Sequence, residues 1–270
     1  MGPQPTLESQ SALLERLGKN RGRYLGETID IAATLEALRL AALQHGWRSD
    51  CFLSNATFCL LAYHRPARTP RKRLYISAGI HGDEPAGPRA ALELVQENHW
   101  PDTLDVWLCP CLNPTGFPLN TRENAAGLDL NRQYLEPQAE EIRAHTAWLL
   151  QQPSFDLTLC LHEDWEANGF YVYELNLDGA PAFAEAIIRK VAAVCPIDHS
   201  PVIEGRPAAG GIIHPSADLT LRPQWPEAFY LVSHKTRVSC TLEAPSDYPL
   251  STRVAALKAG VNAALEILAQ

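Results

Sequence analysis

Short apolar runs alternate along this chain with longer segments of helical periodicity. The apolar runs have the length of strands and lie at residues 58–63, 74–80, 104–112, 155–161, 170–175 and 238–242. Helical segments lie at residues 88–96, 137–150, 182–194 and 254–268. Strands that alternate with helices are typical of an α/β fold with a mostly parallel central sheet. We therefore predict an α/β layer architecture, and the lack of an obvious linker favours a single domain.

The N-terminal region predicts two further helices before the first strand. They are marked by Leu13, Leu14 and Leu17, and by Ile31, Leu35, Leu38 and Ala42. The second helix is expected to end near Gly46, because glycine is favoured just after a helix. Residues 196–227 are rich in proline and glycine and predict a long loop, of a kind that is usually functional or mobile.

Composition and charge exclude several classes of protein. The chain has 270 residues, of which 46% are hydrophobic and 20% are charged, as in an ordinary globular protein. Its formal net charge of -8 makes nucleic acid and anionic membranes poor partners, because polyanions are repelled. The one dense basic run, residues 71–73, is interpreted as a solvated flank of the next strand.

The cysteines and the hydropathy pattern predict the compartment. Seven cysteines are an odd number, and several lie in apolar runs where a thiol behaves as a small hydrophobe, so no disulfide framework is expected. The N-terminus shows no basic segment followed by an apolar core, and no run approaches the roughly 18 apolar residues of a membrane span. We therefore predict a cytoplasmic protein.

A candidate metal site follows the apolar run at residues 74–80. His81 and Glu84 are three positions apart at the end of this predicted strand, so both side chains could bind one ion from a single turn. Catalytic zinc commonly takes three protein ligands from His, Asp and Glu and leaves a position for water. The alternative is a hydrogen-bonded turn histidine beside an acid favoured by a helix dipole.

His162 is the candidate third ligand. It lies at the carboxyl edge of the buried run at residues 157–161, and ligands bind at this edge in open α/β sheets. The other histidines lack a partner acid at ligand spacing or sit on helices, and are expected to have ordinary structural roles. They are His45, His64, His99, His145, His199, His214 and His234.

Glu243 is the candidate catalytic carboxylate. It ends the apolar strand at residues 238–242, where a carboxylate is desolvated and well placed to take a proton from a metal-activated water. The alternative is a cap at the end of the strand.

Residues 122–132 form a second cluster of functional residue types. Arg122 and Arg132, with Asn131, could receive an anionic group, since guanidinium binds carboxylates through two parallel hydrogen bonds. Asp129 could accept a hydrogen bond from a metal-bound imidazole. The alternative is a loop crosslinked by ion pairs with Glu123 and Glu136.

Taken in order, these motifs resemble the carboxypeptidase A-like zinc carboxypeptidases in their short bacterial form, and the related murein peptide amidases. The resemblance covers residues 74–245 and rests on residues 79–84, 113–116, 122–132, 161–163 and 241–243. It implies a three-layer α/β/α sandwich around a mixed, mostly parallel sheet. It also implies a single catalytic domain over residues 1–270, in which residues 1–70 carry no family motif.

The resemblance further implies the role of each site residue. His81, Glu84 and His162 would bind one Zn²⁺ per chain, and Asp129 would orient His81. Glu243 would be the general base and acid, and Arg122 would stabilise the oxyanion. Asn131 and Arg132 would hold the terminal carboxylate of the substrate. The tyrosine that the family places on a mobile loop has two candidates here, Tyr173 and Tyr230, and neither lies in an alignable motif.

These roles predict a zinc-dependent amide hydrolase acting on a substrate with a free carboxylate. The favoured activity is a metallocarboxypeptidase that releases a C-terminal residue from a peptide, including a cell-wall peptide. The alternatives are an N-acyl amino acid deacylase of the aspartoacylase and succinylglutamate desuccinylase type, and an inactive relative that only binds ligand. Residues 200–235 are expected to line the specificity pocket. Arg206, Arg222 or the nearby Arg237 could favour acidic side chains there, and the alternative for each arginine is a surface charge.

Overall fold

The computed structural model describes residues 15–179, 182–216, 218 and 222–270. The strands are β1 Arg48–Ser54, β2 Cys59–Arg65, β3 Lys72–Ala78, β4 Leu104–Cys109, β5 Leu157–Asp164, β6 Tyr171–Asn176, β7 Val202–Ile203, β8 Arg206–Pro207, β9 Ile212–Ile213 and β10 Val238–Pro245. The α-helices are α1 Ile31–Gln44, α2 Ala86–Glu97, α3 Glu140–Gln151, α4 Phe183–Val191, α5 Glu227–His234 and α6 Leu250–Leu268. Two 3₁₀ turns lie at Phe117–Leu119 and Leu130–Arg132.

Eight of the strands form one mixed sheet in the order β1-β2-β4-β3-β5-β10-β6-β9. The central strands β4, β3, β5 and β10 are parallel to one another. The antiparallel pairs are β1 with β2, β2 with β4, and β10 with β6. The parallel centre follows from helices that return the chain to the same edge of the sheet, and it confirms the predicted α/β class.

Helices cover both faces of the sheet, which makes the predicted three-layer sandwich. On β3, Leu74 and Ile76 pack into a cluster with α1, α2, α4 and α6, whereas Tyr75 between them packs toward α3 and α5. Successive residues of a strand point to opposite faces, so a fully buried strand must be apolar on both. The predicted inner face of α3 is also confirmed, because Ile142, His145, Trp148 and Leu149 are all buried.

Several predicted boundaries were wrong. β3 ends at Ala78 because Gly79 adopts a φ of +60°, and β4 ends at Cys109 rather than at residue 112. Residues 196–227, which were expected to form a loop, contain the short strands β7, β8 and β9, and the last of these residues, Glu227, begins helix α5. The edge strand β1 was not predicted, because its mainly exposed residues carry no apolar alternation.

The predicted first helix falls mostly outside the described residues. Leu13 and Leu14 are not among them. Leu17 is described and lies outside any regular helix, where its backbone N–H donates to the carbonyl oxygen of Asp247 at 2.6 Å. In the part of the chain that the structure describes, no helix is both long and apolar enough to cross a membrane.

Candidate metal centre and active site

The turn that carries His81 and Glu84 is fixed by two glycines. Gly79 adopts the left-handed region that disfavours other residues. A Cβ on Gly82 would lie 2.1 Å from the backbone carbon of Gly116, so only glycine fits there. The turn after β3 thus packs main chain to main chain against the Asn113–Gly116 turn after β4. This contact explains why the first turn motif has glycine at position 82.

The three predicted metal ligands meet at the carboxyl ends of adjacent strands. His81 Nδ1 lies 2.5 Å from Glu84 Oε1, and His162 Nδ1 lies 3.0 Å from Glu84 Oε2. One ligand atom from each residue lies within 4.8 Å of the other two, and all three residues are buried. Two imidazole nitrogens and one carboxylate are a donor set that suits a catalytic zinc ion with an open position. These residues therefore fit the metal that the sequence predicts.

The surroundings of the three ligands orient them. Asp129 Oδ1 lies 3.4 Å from His81 Nε2, on the side of the ring away from Glu84. The backbone N–H of Glu163 donates to Glu84 Oε2 at 3.1 Å. Burial alone would raise the pKa of Glu84, but the imidazoles of His81 and His162 lower it below its ordinary value. The cluster is thus built to hold an ionised carboxylate beside two imidazoles.

Arg122 lies next to this cluster, as predicted. Its Nε donates to Asp129 Oδ2 at 2.9 Å, and its Nη1 lies 3.8 Å from Glu84 Oε1. Burial would lower the pKa of Arg122, but the carboxylates of Glu84 and Asp129 raise it, so the guanidinium remains charged. Asp129 therefore holds the arginine and faces the histidine at the same time.

Glu243 enters the same cavity from the neighbouring strand. It pairs with His162 in the parallel register of β10 and β5, so the two side chains project to the same side of the sheet. Glu243 is half-buried and lines a cavity of about 530 Å³ together with the three metal ligands. Burial raises the pKa of Glu243 well above its ordinary value, against the opposing effect of His162.

Asn131 and Arg132 lie in the 3₁₀ turn that Asp129 caps, and both line the cavity. The backbone N–H of Glu227 donates to Asn131 Oδ1 at 2.8 Å. This bond fixes the amide, so that its NH₂ group is the part left to meet a ligand. The exposed Arg132 also folds back, and its Nη1 donates to the carbonyl oxygen of Asn131 at 2.9 Å.

The remaining candidate tyrosines and arginines differ in whether they line the cavity. Tyr173, Arg206 and Arg222 line the cavity. Tyr230 packs instead in the core, against the rings of Tyr134 and His234. Arg237 donates to Asp178 at 3.0 Å on the surface and is not among the described residues that line the cavity.

Glu227 is a cavity residue that the sequence did not reveal. This buried acid accepts hydrogen bonds from Ser77 Oγ at 2.8 Å and from Tyr75 OH at 3.0 Å. Tyr75 OH in turn contacts His145 Nε2 at 2.8 Å, and His145 Nδ1 contacts Tyr134 OH at 2.8 Å. No sequence signal points to Glu227, because its partners on β3 lie about 150 residues earlier.

A second group of residues that the sequence did not reveal connects the N-terminal region to the site. Arg253 is completely buried and binds Glu163, whose carboxylate also accepts from the backbone N–H of Ala86 at the start of α2. Arg253 Nη2 further donates to Tyr24 OH at 3.0 Å, and Tyr24 lines the cavity. Glu163 was identifiable only as a charged residue in a buried strand, without its partner.

Comparisons with known proteins agree with this geometry. Residues 70–187 match the family model of the succinylglutamate desuccinylase/aspartoacylase catalytic domain. A candidate metallopeptidase from Shewanella amazonensis superposes with a TM-score of 0.78 at 26% identity, covering 88% of this chain and 93% of that one. No curated protein sequence matches the chain.

More distant structures share the fold. A metallo-carboxypeptidase from Burkholderia cenocepacia gives a TM-score of 0.67 at 18% identity, over 88% of this chain and 69% of that one. A metallo-carboxypeptidase from Pseudomonas aeruginosa, in complex with (2-guanidinoethylmercapto)succinic acid, gives 0.64 at 19% identity, over 89% and 69%.

Fold, ligand geometry and family-model match together define a metallohydrolase-type protein. The chain resembles the zinc carboxypeptidase-like proteins in its fold and in its candidate metal ligands, as its sequence motifs predicted. The matched region, residues 70–187, is similar to the succinylglutamate desuccinylase/aspartoacylase catalytic domain.

Proposed function

We propose that the protein is a zinc-dependent hydrolase of amide bonds, in the first place a metallocarboxypeptidase that releases a C-terminal residue from a peptide. The observation that carries this proposal is the convergence of His81, Glu84, His162 and Glu243 in one cavity with Arg122. In the same proposal the whole chain is one catalytic domain, to which the region before residue 70 contributes Tyr24.

Each residue then has a role that its position supports. When bound by His81, Glu84 and His162, zinc would acidify a water molecule and polarise the scissile carbonyl. Glu243, whose pKa burial raises, accepts the proton of the attacking water and returns it to the leaving amine.

The charged and amide groups of the cavity act on the substrate. Arg122 donates to the developing oxyanion, a contribution that is usually large in acyl transfer. The substrate carboxylate is held by the NH₂ group of Asn131 and by the guanidinium of Arg132. Asp129 keeps both His81 and Arg122 in place.

A second candidate function, N-acyl amino acid deacylation, is favoured by two observations. The family model that matches residues 70–187 is that of a deacylase group. Arg206 and Arg222 add two cations to the cavity beyond those that hold one carboxylate. A dicarboxylic substrate would satisfy them, and the Pseudomonas aeruginosa relative was solved with a succinic acid derivative.

Metal analysis tests the site directly. Protein expressed with ample zinc is expected to contain about one zinc per chain, and His162→Ala is expected to lose it, since two ligands hold zinc far more weakly than three. His64→Ala is the matched control, because His64 stacks on Trp107 and lies outside the cavity. Clearly substoichiometric zinc in the wild type would contradict the proposal.

A substrate panel separates the two activities. Peptides with free and amidated C-termini should be compared with N-acetyl and N-succinyl derivatives of acidic and neutral amino acids. A carboxypeptidase cleaves the free peptides and spares the amidated ones. Preference for the N-acyl acidic compounds, reduced in Arg222→Gln mainly through KM, would instead establish the deacylase.

A further inference from the structure

Two of the seven cysteines lie together at the edge of the sheet, far along it from the cavity. Cys51 on β1 and Cys59 on β2 are both exposed, and their sulfur atoms are 2.7 Å apart. The other five cysteines are buried. The strand order places β1 and β2 at one edge, and β4 and β3 separate them from β5, which carries His162.

The pairing of the two strands explains this close approach. Cys51 is opposite Leu61, and Cys59 lies two positions from Leu61, so both thiols project from the same face of the hairpin. The register shifts between Cys51 and Leu53, and a bulge of this kind bends and twists a strand. The two sulfurs are then only a little further apart than the roughly 2.0 Å of a disulfide bond.

We propose that Cys51 and Cys59 form a dithiol site that small-molecule disulfides oxidise reversibly to an intramolecular disulfide between β1 and β2. The proposal does not depend on the proposed enzymatic function. It assigns a modification site to the hairpin, with oxidised glutathione as the representative co-reactant.

The exchange proceeds in two steps. The Cys51 thiolate attacks one sulfur of oxidised glutathione, which breaks the glutathione S–S bond, forms a mixed disulfide and releases one glutathione thiolate. The Cys59 thiol then loses its proton and attacks the Cys51 sulfur, which forms the protein disulfide and releases the second glutathione. The protein loses two electrons and two protons, and oxidised glutathione is reduced to two thiols.

The surroundings assign the order of attack. Partial burial and the adjacent Cys51 raise the pKa of Cys59 to about 11, so Cys59 is a thiol at neutral pH. Because the thiolate is the nucleophile, the raised pKa of Cys59 disfavours it as the attacking group and assigns it the step that resolves the mixed disulfide. The short separation makes the second step intramolecular and fast.

The test is thiol counting and intact mass on the folded protein. Before oxidation, a thiol reagent is expected to modify Cys51 and Cys59 quickly and the five buried cysteines slowly. After incubation with oxidised glutathione, the fast class should disappear, the mass should fall by two hydrogens, and peptide mapping should join the segments that contain Cys51 and Cys59. Dithiothreitol should restore both fast thiols.

Single variants provide the matched controls. Cys51→Ser and Cys59→Ser each retain one exposed thiol with no resolving partner, so each is expected to keep a stable glutathione adduct. Zinc content should be the same in both variants and in the wild type. If wild-type protein instead accumulated glutathione adducts, or kept both fast thiols, the proposal would be overturned.

Discussion

The described part of the chain holds two buried clusters of histidine and glutamate, and of these two only one has the arrangement of a candidate metal site. In the first, His81 and His162 direct Nδ1 atoms at the carboxylate of Glu84. In the second, both nitrogens of His145 contact tyrosine hydroxyls at 2.8 Å, and the acid Glu227 is satisfied by hydroxyl groups. The residue types are alike, but the partners of the imidazoles differ.

The partners decide the charge state of each histidine. Burial would lower the pKa of His81, but the carboxylates of Glu84 and Asp129 raise it above its ordinary value. Burial lowers the pKa of His145 to about 3, and no carboxylate of the described residues is hydrogen-bonded to its ring to oppose this shift. A buried imidazole is therefore a metal-ligand candidate when carboxylates converge on it, and a neutral structural group when hydroxyls do.

The largest expected difference is between two acids of the same cavity. Glu243→Gln should retain zinc but lose about 10²- to 10⁴-fold in turnover, because it removes the proton acceptor. Glu227→Gln should remain much closer to wild type in turnover, because the Glu227 carboxylate already accepts hydrogen bonds from two hydroxyl groups. Steady-state kinetics with zinc analysis measures both. An equal loss of turnover in Glu227→Gln would show that the cluster around Glu227 also takes part in catalysis.

Asp129 is expected to give the next effect. Asp129→Asn keeps the shape of the side chain but removes the charge that faces His81 and holds Arg122. Zinc affinity should fall about 10- to 100-fold, as for other residues that orient a metal ligand. Competition with a chelator measures the affinity. Wild-type affinity in the variant would show that Glu84 alone orients His81.

The hydroxyl-bonded histidine should affect stability rather than metal. His145→Leu leaves the buried hydroxyl of Tyr134 without its partner and is expected to lower the free energy of unfolding by about 1–3 kcal/mol. Denaturant unfolding of the zinc-loaded protein is the measurement, with zinc stoichiometry as the control. Loss of zinc in a folded His145→Leu protein would remove the distinction between the two clusters.

The smallest effect is the pH dependence that His145 contributes. The folded protein keeps His145 neutral down to about pH 3, whereas the unfolded chain protonates it below its ordinary value of 6.5. The unfolded state therefore binds more protons, and stability falls as the pH falls from 6.5, by about 1.4 kcal/mol per pH unit. Unfolding of His145→Leu between about pH 6.5 and 5.5 should show a shallower decline. Parallel curves for the two proteins would contradict the pKa assignment.

The sequence predicted the candidate metal ligands because His81 and Glu84 follow one apolar strand and His162 lies near the end of another. β3, β5 and β10 are adjacent in the sheet, so the residues after or at their carboxyl ends meet. The hydroxyl-bonded cluster could not be found in this way. Its members come from β3, α3 and α5, and nothing local marks a tyrosine or a histidine as the partner of a distant acid.

The unpredicted elements have local explanations. Strand β1 is an edge strand with mostly exposed residues, so its pairing with β2 leaves no apolar pattern. Helix α5 follows a stretch rich in proline and glycine, and Pro226 immediately precedes it. Its six buried residues are consecutive, so they lack the spacing of a helix with one apolar face.

The contact between Gly82 and Gly116 has a consequence for the choice of ion. The backbone of Gly116 occupies the space that a side chain on Gly82 would fill, so the segment with His81 and Glu84 is packed tightly against the turn after β4. A frame that cannot expand discriminates between ions by radius, because it cannot relax around a larger one. We therefore expect the absent side chain at Gly82 to contribute to metal selectivity here, beside the ligands themselves.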